Sequence, residues 1–203
     1  SWLIARKEGK FVVSPNPGAH SFERGMALGV VLRDNLKLAG SMSEVRKLLN
    51  SQAVMVDGKV RKSHKFIVGL FDTIAIPVMK KFFRVTFDNK GRLLVMETSE
   101  EDSRLKPIKI VGKTVIKKGK TQYNLIDGKN VLADVKAKVG DTLVLELPSL
   151  KIKSVVEMKE GVAVFLMAGK KSGDHGVLSK INGKDVVYKS AEGDVETKLS
   201  HLY

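Results

Sequence analysis

Cysteine is absent from this sequence of 203 residues. Its absence excludes disulfide bonds and thiolate metal sites, and it fits a protein of a reducing compartment. The four histidines are far apart in the sequence and do not have the spacing of metal ligands. They are His20, His64, His175 and His201. We therefore expect no metal and no other cofactor.

Long apolar segments are also missing. No run approaches the roughly 18 residues of a membrane-spanning helix, and no signal peptide is recognisable. An amphipathic helix with bulky apolar residues, which a membrane-surface protein would need, is not found either. Aromatic residues make up only 6% of the chain, which disfavours binding of nucleic acid mainly by base stacking. We expect no membrane partner.

Positive charge is what the sequence has in excess. Lysine and arginine number 36 against 22 acidic residues, which gives a formal net charge of +14. Such an excess destabilises a compact chain through self-repulsion, so it indicates an anionic partner. By charge alone, nucleic acid is the first candidate and an anionic membrane surface the second, but the lack of a suitable amphipathic helix disfavours the membrane. The hydrophobic content of 43% is that of a globular protein, and the length allows more than one small core.

Two helices are predicted in the first third of the chain. The first is expected over residues 23–38, and Gly40 is suited to end it in a left-handed conformation. The second is expected to begin at Ser43, a good N-cap residue. At about 100° per residue, its apolar side chains fall on one side and its polar side chains on the other. The apolar side holds Val45, Leu48 and Leu49, and the polar side holds Ser43, Arg46, Lys47 and Asn50.

A hairpin is predicted after the helices. Asp57-Gly58 between two apolar runs is a strong hairpin signal, because both turn positions favour positive φ. Basic residues follow at once, and Arg33 and Lys37 share a face of the first predicted helix at i and i+4. A single basic helix face is usually only solvated. The order of helix, helix, hairpin and a final strand at residues 71–76 is more specific.

This order of elements resembles the S4 domain, an RNA-binding module of ribosomal proteins and some RNA-modifying enzymes. In that family the two helices and the hairpin loop grip structured RNA, mainly through phosphates. The resemblance implies an RNA-binding surface in this chain. Its residues would be Arg33, Lys37, Ser43, Arg46, Lys47, Asn50, Lys59, Arg61, Lys62 and Lys65.

Strands and turns are predicted after residue 82. Residues 83–87 and 92–95 flank a turn at 88–91, and Ser99 is placed to cap a short helix. Several short strands between residues 108 and 139 predict a small barrel-like or curled sheet. The lysines of this segment either protect strand edges or contact phosphates, and the sequence leaves both open. They are Lys109, Lys113, Lys117, Lys118 and Lys120.

The N-terminal residues 1–20 are predicted to be irregular. Pro15 and Pro17, in the run Ser-Pro-Asn-Pro-Gly, cannot stand inside a helix. We favour an ordered strap anchored by Trp2 and Phe11 over a loose basic arm.

Near the C-terminus, two predicted strands flank a glycine-rich loop at residues 169–176. Gly173 and Gly176, followed by Val177 and Ile181, resemble the KOW motif rather than an ordinary hairpin. That motif occurs in ribosomal proteins and transcription elongation factors, within a small five-stranded SH3-like barrel, and its loop contacts RNA or protein partners. The resemblance implies contacts from Lys170, Lys171, Ser172 and His175.

Two catalytic alternatives do not fit the residues. Gly112-Lys113-Thr114 and Gly119-Lys120-Thr121 lack the glycine that a phosphate-binding loop needs five residues earlier. Pseudouridine synthases, which often carry an S4 module, use the aspartate of Gly-Arg-Leu-Asp as nucleophile, but Leu94 stands at that place here. We therefore predict that the chain is not an enzyme.

Together these segments resemble the small-subunit ribosomal protein S4e family of archaea and eukaryotes along the whole chain. The resemblance implies an α+β, β-rich fold, and the short C-terminal end favours the archaeal type. The expected divisions are an N-terminal strap (1–21), an S4-type RNA-binding domain (22–80), a central β domain (81–148) and a KOW domain (149–203).

The resemblance also implies a role. The chain would be a structural constituent of the small ribosomal subunit in the cytoplasm, bound to rRNA and to neighbouring ribosomal proteins, and monomeric outside the ribosome. The alternative is a stand-alone RNA-binding regulator of translation or transcription, which would sediment free of ribosomes in a sucrose gradient.

Overall fold

The computed structural model describes residues 12–116, 119–183, 185–191 and 193–203. Within these residues the fold is α+β and β-rich, as predicted. Trp2 and Phe11, the expected anchors of the strap, lie outside them. The chain forms two compact units, of which the first takes in the described chain up to Thr86 with Arg92–Lys106 and Leu145–Lys151. The second consists of Phe87–Gly91, Pro107–Val144 and Ile152–Tyr203.

The first unit begins with irregular chain and a strand, and its first helix is shorter than predicted. Strand β1 (Gly25–Ala27) pairs antiparallel with β4 (Ile67–Gly69). Helix α1 (Leu28–Val30) follows and continues into a π-helical turn (Val31–Asn35). The prediction of a helix over residues 23–38 is therefore wrong at both ends, because its first part forms backbone hydrogen bonds to a distant strand instead.

The end of this helix also differs from the prediction. Lys37, and not Gly40, takes the left-handed position, with φ at +50°. The N–H of Leu38 then donates to the carbonyl of Leu32 at 2.9 Å, which satisfies one of the free carbonyls at the helix end. Lys37 thus lies beyond the helix and does not share a helical face with Arg33.

Helix α2 (Met42–Asn50) has the predicted amphipathic pattern but a different cap. The hydroxyl of Ser41, not of Ser43, accepts the N–H of Glu44 at 3.3 Å. The Glu44 carboxylate in turn accepts the N–H of Gly40 at 2.8 Å. Ser41 has the three-residue spacing to a glutamate that favours such reciprocal capping, so the helix begins before the predicted residue.

The predicted hairpin is confirmed and forms the edge of a five-stranded sheet. Asp57 and Gly58 have φ of +52° and +70°, as a tight turn of this type requires. The sheet has the order β3-β2-β5-β6-β7, and Ser99 caps the short helix α3 (Glu100–Ser103) as predicted. Its strands are β2 (Met55–Val56), β3 (Lys59–Val60), β5 (Thr73–Ile76), β6 (Lys81–Phe87) and β7 (Leu93–Glu97).

A second five-stranded sheet has the order β10-β9-β8-β11-β12. Several strands are present between residues 108 and 139, as predicted, but the first of them, β8, is longer than expected, with 11 residues and a register shift after Ile110. The strands are β8 (Leu105–Val115), β9 (Thr121–Leu125), β10 (Asn130–Leu132), β11 (Thr142–Glu146) and β12 (Lys151–Val156).

The last sheet of the second unit is a four-stranded antiparallel meander. Its strands are β13 (Ala163–Phe165), β14 (His175–Asn182), β15 (Asp185–Ser190) and β16 (Gly193–Lys198). The chain end closes over it through a bridge between Leu166 and Leu202. Alternation along the strands buries one side of the sheet, and its core consists of Val164, Leu166, Leu178, Val186, Tyr188 and Leu202.

Lys109 in the second unit has neither of the two roles that the sequence left open. Its side chain is buried, and its ammonium group donates to the carbonyls of Leu199, at 3.3 Å, and Leu202. Burial lowers its pKa from the usual value. The lysine therefore helps to hold the chain end, whereas Lys113 and Lys120 are exposed.

Candidate nucleic-acid interface

One face of α2 presents all four of the polar residues predicted for it. Ser43, Arg46, Lys47 and Asn50 are exposed, whereas Val45 and Leu49 on the opposite side are fully buried. The amphipathic spacing fixes this division, because the apolar side packs into the core of the unit. The result is a compact exposed face with two cations, an amide and a hydroxyl, all of which suit phosphate oxygens.

This face lies beside the basic segment that follows the hairpin. The guanidinium Nη2 of Arg46 is 3.5 Å from Nε2 of His64. At the backbone of His64, Gly29 of α1 allows the two residues to approach closely. The Gly29 N–H donates to the His64 carbonyl at 2.8 Å, and a Cβ at Gly29 would lie 3.0 Å from that oxygen. The structure therefore brings the α2 face and residues 61–65 together, as the order of elements suggested.

His64 was absent from the predicted surface, although its place between Lys62 and Lys65 could have signalled it. Burial lowers the pKa of His64, and the charges of Arg46 and Lys65 lower it further. The neutral imidazole is consequently favoured, which leaves Nε2 able to accept from the guanidinium. An anion that neutralised the two cations would remove part of this effect.

The remaining basic residues of this segment differ in exposure. Lys59, Lys62 and Lys65 are exposed. Arg61 is half-buried, and its guanidinium carbon lies 4.2 Å from the centroid of the Phe66 ring. This cation–π contact fixes the orientation of the planar guanidinium, because the ring supports one of its faces.

Arg33 and Lys37, both predicted for this surface, do not share a helical face, and they differ in charge compensation. Arg33 is half-buried and makes two hydrogen bonds to the carboxylate of Asp34, at 2.7 and 3.0 Å. These bonds, partly opposed by burial, raise the pKa of Arg33. Its charge is thus compensated by the adjacent residue, and Lys37 is an exposed cation beyond the helix end.

A buried ionic cluster lies within the same unit. The ammonium of Lys106 contacts carboxylate oxygens of Asp57 and Asp72 at 2.6 and 2.5 Å. The second oxygen of Asp72 accepts the Gly69 N–H at 2.9 Å and lies 2.9 Å from Nε2 of His20. The second oxygen of Asp57 accepts the N–H of Thr73 at 3.2 Å.

These contacts strongly shift the pKa values of Lys106 and Asp72. Burial opposes the charge of Lys106, but the carboxylates of Asp72 and Asp57 outweigh it and hold the pKa above the usual range. Burial likewise opposes the charge of Asp72, but Lys106 and His20 hold its pKa below the usual range. The cluster keeps Lys106 and Asp72 ionised and locks the hairpin turn to strand β5. No spacing in the sequence indicated it.

The glycine-rich loop of the second unit is also internally fixed. The Ser172 hydroxyl donates to the carbonyl of Met167 at 3.1 Å, so this predicted contact residue serves the loop itself. The carboxylate of Asp174 accepts the hydroxyls of Tyr188 and Ser190, both at 2.9 Å. Lys170, Lys171 and His175 are exposed. Beside the loop is a shallow cleft of about 550 Å³, with Lys170, Lys171, Lys198 and His201 in its wall.

Two features are absent from the described residues. No group of three or more histidine, aspartate or glutamate side chains in this part of the chain is arranged to hold a metal ion. None of the helices that the structure describes is long and apolar enough to cross a membrane.

Comparison with known proteins gives consistent matches. The S4 domain model matches residues 28–74, and the model of the ribosomal family S4e matches residues 79–152. Small ribosomal subunit protein eS4 of Methanosphaera stadtmanae is 39% identical, over 100% of this chain and 86% of that protein. Its counterpart from Methanocella arvoryzae is 41% identical, over 100% of this chain and 88% of that protein.

A solved structure agrees with these matches. The crystal structure of the 30S ribosomal protein S4e from Thermoplasma acidophilum superimposes with a TM-score of 0.76 at 30% sequence identity. The match covers 89% of this chain and 94% of that one. The resemblance inferred from the sequence is confirmed: this chain belongs to the small ribosomal subunit protein eS4 family.

Proposed function

We propose that this chain binds rRNA as a structural constituent of the small ribosomal subunit, and that the α2 face with the adjoining basic segment is its main contact surface. The observation that carries the proposal is the contact between Arg46 and His64, at 3.5 Å. This contact unites the exposed cations of a helix with those of residues 59–65. A folded RNA could therefore meet both through its phosphates at once.

Membership of the family makes the chain a structural ribosomal protein and not an enzyme. The prediction from Leu94, which stands where a synthase would need its aspartate nucleophile, agrees with this. The chemistry to be explained is consequently binding rather than catalysis.

The physical basis of binding is the release of counterions. Lysine and arginine side chains replace the cations condensed on RNA phosphates, so affinity falls steeply as salt rises. The formal net charge of +14 fits this mode, and an aromatic content of 6% does not favour base stacking. Preformed contacts such as Arg61 on Phe66 reduce the entropy lost when the guanidinium binds.

The contact residues that we propose for the first unit are those predicted from the sequence, but the structure changes how much each is expected to contribute to RNA binding. Arg46, Lys47, Lys59, Lys62 and Lys65 are exposed cations and should dominate. Ser43 and Asn50 add hydrogen bonds, and Lys37 adds a charge at the helix end. Arg33 contributes least, because Asp34 already compensates it.

We propose that residues 149–203, all but the first three of which belong to the second unit, form the KOW domain, an SH3-like barrel whose loop makes a further contact. Lys170, Lys171 and His175 would reach RNA there, and Ser172 would keep the loop in shape. The strap (1–21), the S4-type domain (22–80) and the central β domain (81–148) complete the proposed divisions. The protein would be monomeric before assembly and would meet neighbouring ribosomal proteins in the cytoplasmic ribosome, with no membrane partner.

The test is a charge reversal on the α2 face. We expect Arg46→Glu with Lys47→Glu to weaken binding of a small-subunit rRNA fragment and to flatten its salt dependence by about 0.7–0.9 log units per lost phosphate contact. Glu100→Lys with Glu101→Lys, also exposed and in the same unit but outside α2, changes the charge in the opposite direction and should not weaken binding. Unchanged RNA binding by the α2 variant, with an intact circular dichroism spectrum, would contradict the proposal.

The loop of the second unit needs a separate test, because the α2 variant leaves its lysines unchanged. Lys170→Ala with Lys171→Ala should reduce incorporation into small subunits during reconstitution. Incorporation at the wild-type level would remove these two lysines from the interface.

A further inference from the structure

Two turns that are far apart in the sequence lie against each other in the second unit. One is the turn at residues 88–91 between β6 and β7, and the other is the loop between β13 and β14. A Cβ atom on Gly173 would lie only 2.0 Å from the carbonyl oxygen of Asp88, and one on Gly91 would lie 3.0 Å from the Cβ of Ser172. Below them the rings of Phe87 and Phe165 are stacked, with centroids 6.3 Å apart and planes at 10°.

Both turns are fixed before any ligand arrives. In the first, the Asp88 carboxylate accepts the N–H of Lys90, and the Asp88 carbonyl accepts the N–H of Gly91 at 2.8 Å. In the second, the N–H of Gly173 donates to the Leu166 carbonyl at 2.8 Å. A surface with this little freedom loses little entropy on binding.

The side chains that the two turns expose are cationic or amide groups. Asn89 and Lys90 are exposed on one turn, and Lys170 and Lys171 on the other. The acidic side chain of the loop is directed elsewhere: Asp174 accepts the hydroxyls of Tyr188 and Ser190 and the N–H of His175. Ammonium and amide donors on a fixed backbone are the groups that phosphate and sugar oxygens require.

We propose that the turn at residues 88–91 and the loop at residues 169–173 form one binding surface for the sugar-phosphate backbone of RNA, with Lys90 and Asn89 as contact residues. The inference rests on the proposed function, since the RNA is that of the small subunit. It adds a segment outside the predicted interface, and it explains why Gly173 carries no side chain: a larger residue would separate the two turns.

The first test measures the contribution of Lys90 alone. Lys90→Ala should reduce the slope of log affinity against log salt for an rRNA fragment by about 0.7–0.9, the value of one phosphate contact. The matched control is Lys159→Ala, which removes an equal charge in the same unit but at a lysine already paired with Glu157. Equal slopes for the two variants would overturn the inference while leaving wild-type binding, and with it the proposed function, intact.

The second test asks whether both turns meet the same RNA segment. Because the chain has no cysteine, Asn89→Cys and Lys170→Cys each create a single attachment site for an iron chelate that releases hydroxyl radicals. Both labelled proteins should cleave the same short stretch of rRNA, and labelled Lys159→Cys should not. Cleavage of separate stretches would overturn the inference. So would a Lys90→Ala protein that binds RNA normally but fails to enter subunits, because that result would indicate an acidic protein partner.

Discussion

The ammonium group of Lys106 lies 2.5 Å from a carboxylate oxygen of Asp72, and both side chains are almost fully buried. Asp57 is the second carboxylate of the cluster, at 2.6 Å. Lys106 is the second residue of β8, whereas the two aspartates flank strands of the sheet that includes the hairpin. The ion pairs thus connect residues that are far apart in the sequence: Lys106 lies 34 residues after Asp72 and 49 residues after Asp57.

Removing the lysine should destabilise the first unit. Lys106→Met leaves two buried carboxylates without their cation, and breaking a buried pair in this way costs about 3–5 kcal/mol. Urea unfolding followed by circular dichroism measures the change. Lys153→Met, at an exposed lysine of β12, should have little effect. Adding Asp57→Asn and Asp72→Asn to Lys106→Met should recover part of the loss, and no recovery would argue against the ionic explanation.

The cluster also predicts how stability depends on pH. Because the folded-state pKa of Asp72 is lowered, its contribution is complete above the ordinary pKa of about 3.8 and is lost as pH falls through the lower folded value. The raised pKa of Lys106 acts at the other extreme, where stability is lost only as pH rises beyond its ordinary value. Wild-type stability should therefore fall between about pH 4 and 2 more steeply than that of Asp72→Asn. Parallel curves would contradict this assignment.

His64 should take up a proton when RNA binds. Its folded-state pKa is lowered by burial and by Arg46 and Lys65, so the free protein loses some stability as pH falls through the ordinary value of about 6.5. Phosphates at the two cations would remove their repulsion and raise the pKa. The RNA affinity of the wild type should thus increase from pH 8 to pH 6 by more than that of His64→Gln. The variant retains the other histidines, so the difference between the two proteins measures the contribution of His64.

Nuclear magnetic resonance titration gives a second measurement of the same effect. Arg46→Ala should raise the pKa of His64 in the free protein, since one of the two repelling charges is gone. A pKa that does not move in Arg46→Ala would leave burial and Lys65 as the causes and would remove Arg46 from the expected coupling to RNA.

Gly173→Ala should be markedly destabilising. Gly173 has φ of +97°, and its Cβ would meet the Asp88 carbonyl at 2.0 Å. Gly161 is a matched control, because its φ is +86° but its Cβ would meet nothing within 4 Å. We expect about 1–2 kcal/mol for Gly161→Ala from the left-handed backbone alone. Gly173→Ala should cost about 1–3 kcal/mol more from the steric clash, measured by urea unfolding. An equal loss of unfolding free energy in the two variants would show that the two turns can move apart at little cost.

The features predicted correctly from the sequence are those with a local cause. The Asp57-Gly58 turn follows from the positive φ that both residues tolerate, and the exposed face of α2 follows from apolar spacing within nine residues. The excess of positive charge, summed over the whole chain, needs no structure to indicate an anionic partner. The order of these local elements was enough to identify the family.

Where local signals competed, the prediction failed near element ends. Ser41 and Ser43 are both suitable caps, and only the backbone geometry selects Ser41. The sequence predicts a helix at residues 25–27, because it does not reveal that β4, about 40 residues later, supplies hydrogen-bond partners. Lys37 takes a conformation that glycine would have been expected to take.

The sequence by itself therefore determined the charge, the amphipathic helix, the hairpin and the family, because each depends on residues close together or on composition. The tertiary structure alone decided which cations are available. It buried Lys106 between two aspartates and Lys109 among carbonyls, paired Arg33 with Asp34, and placed the turn of Lys90 against Gly173. The partners of Lys106 and Lys109, and the loop that meets the turn of Lys90, are distant in the sequence, so no pattern of spacing could reveal them. The pairing of Arg33 with Asp34 depends on the conformations of the two side chains.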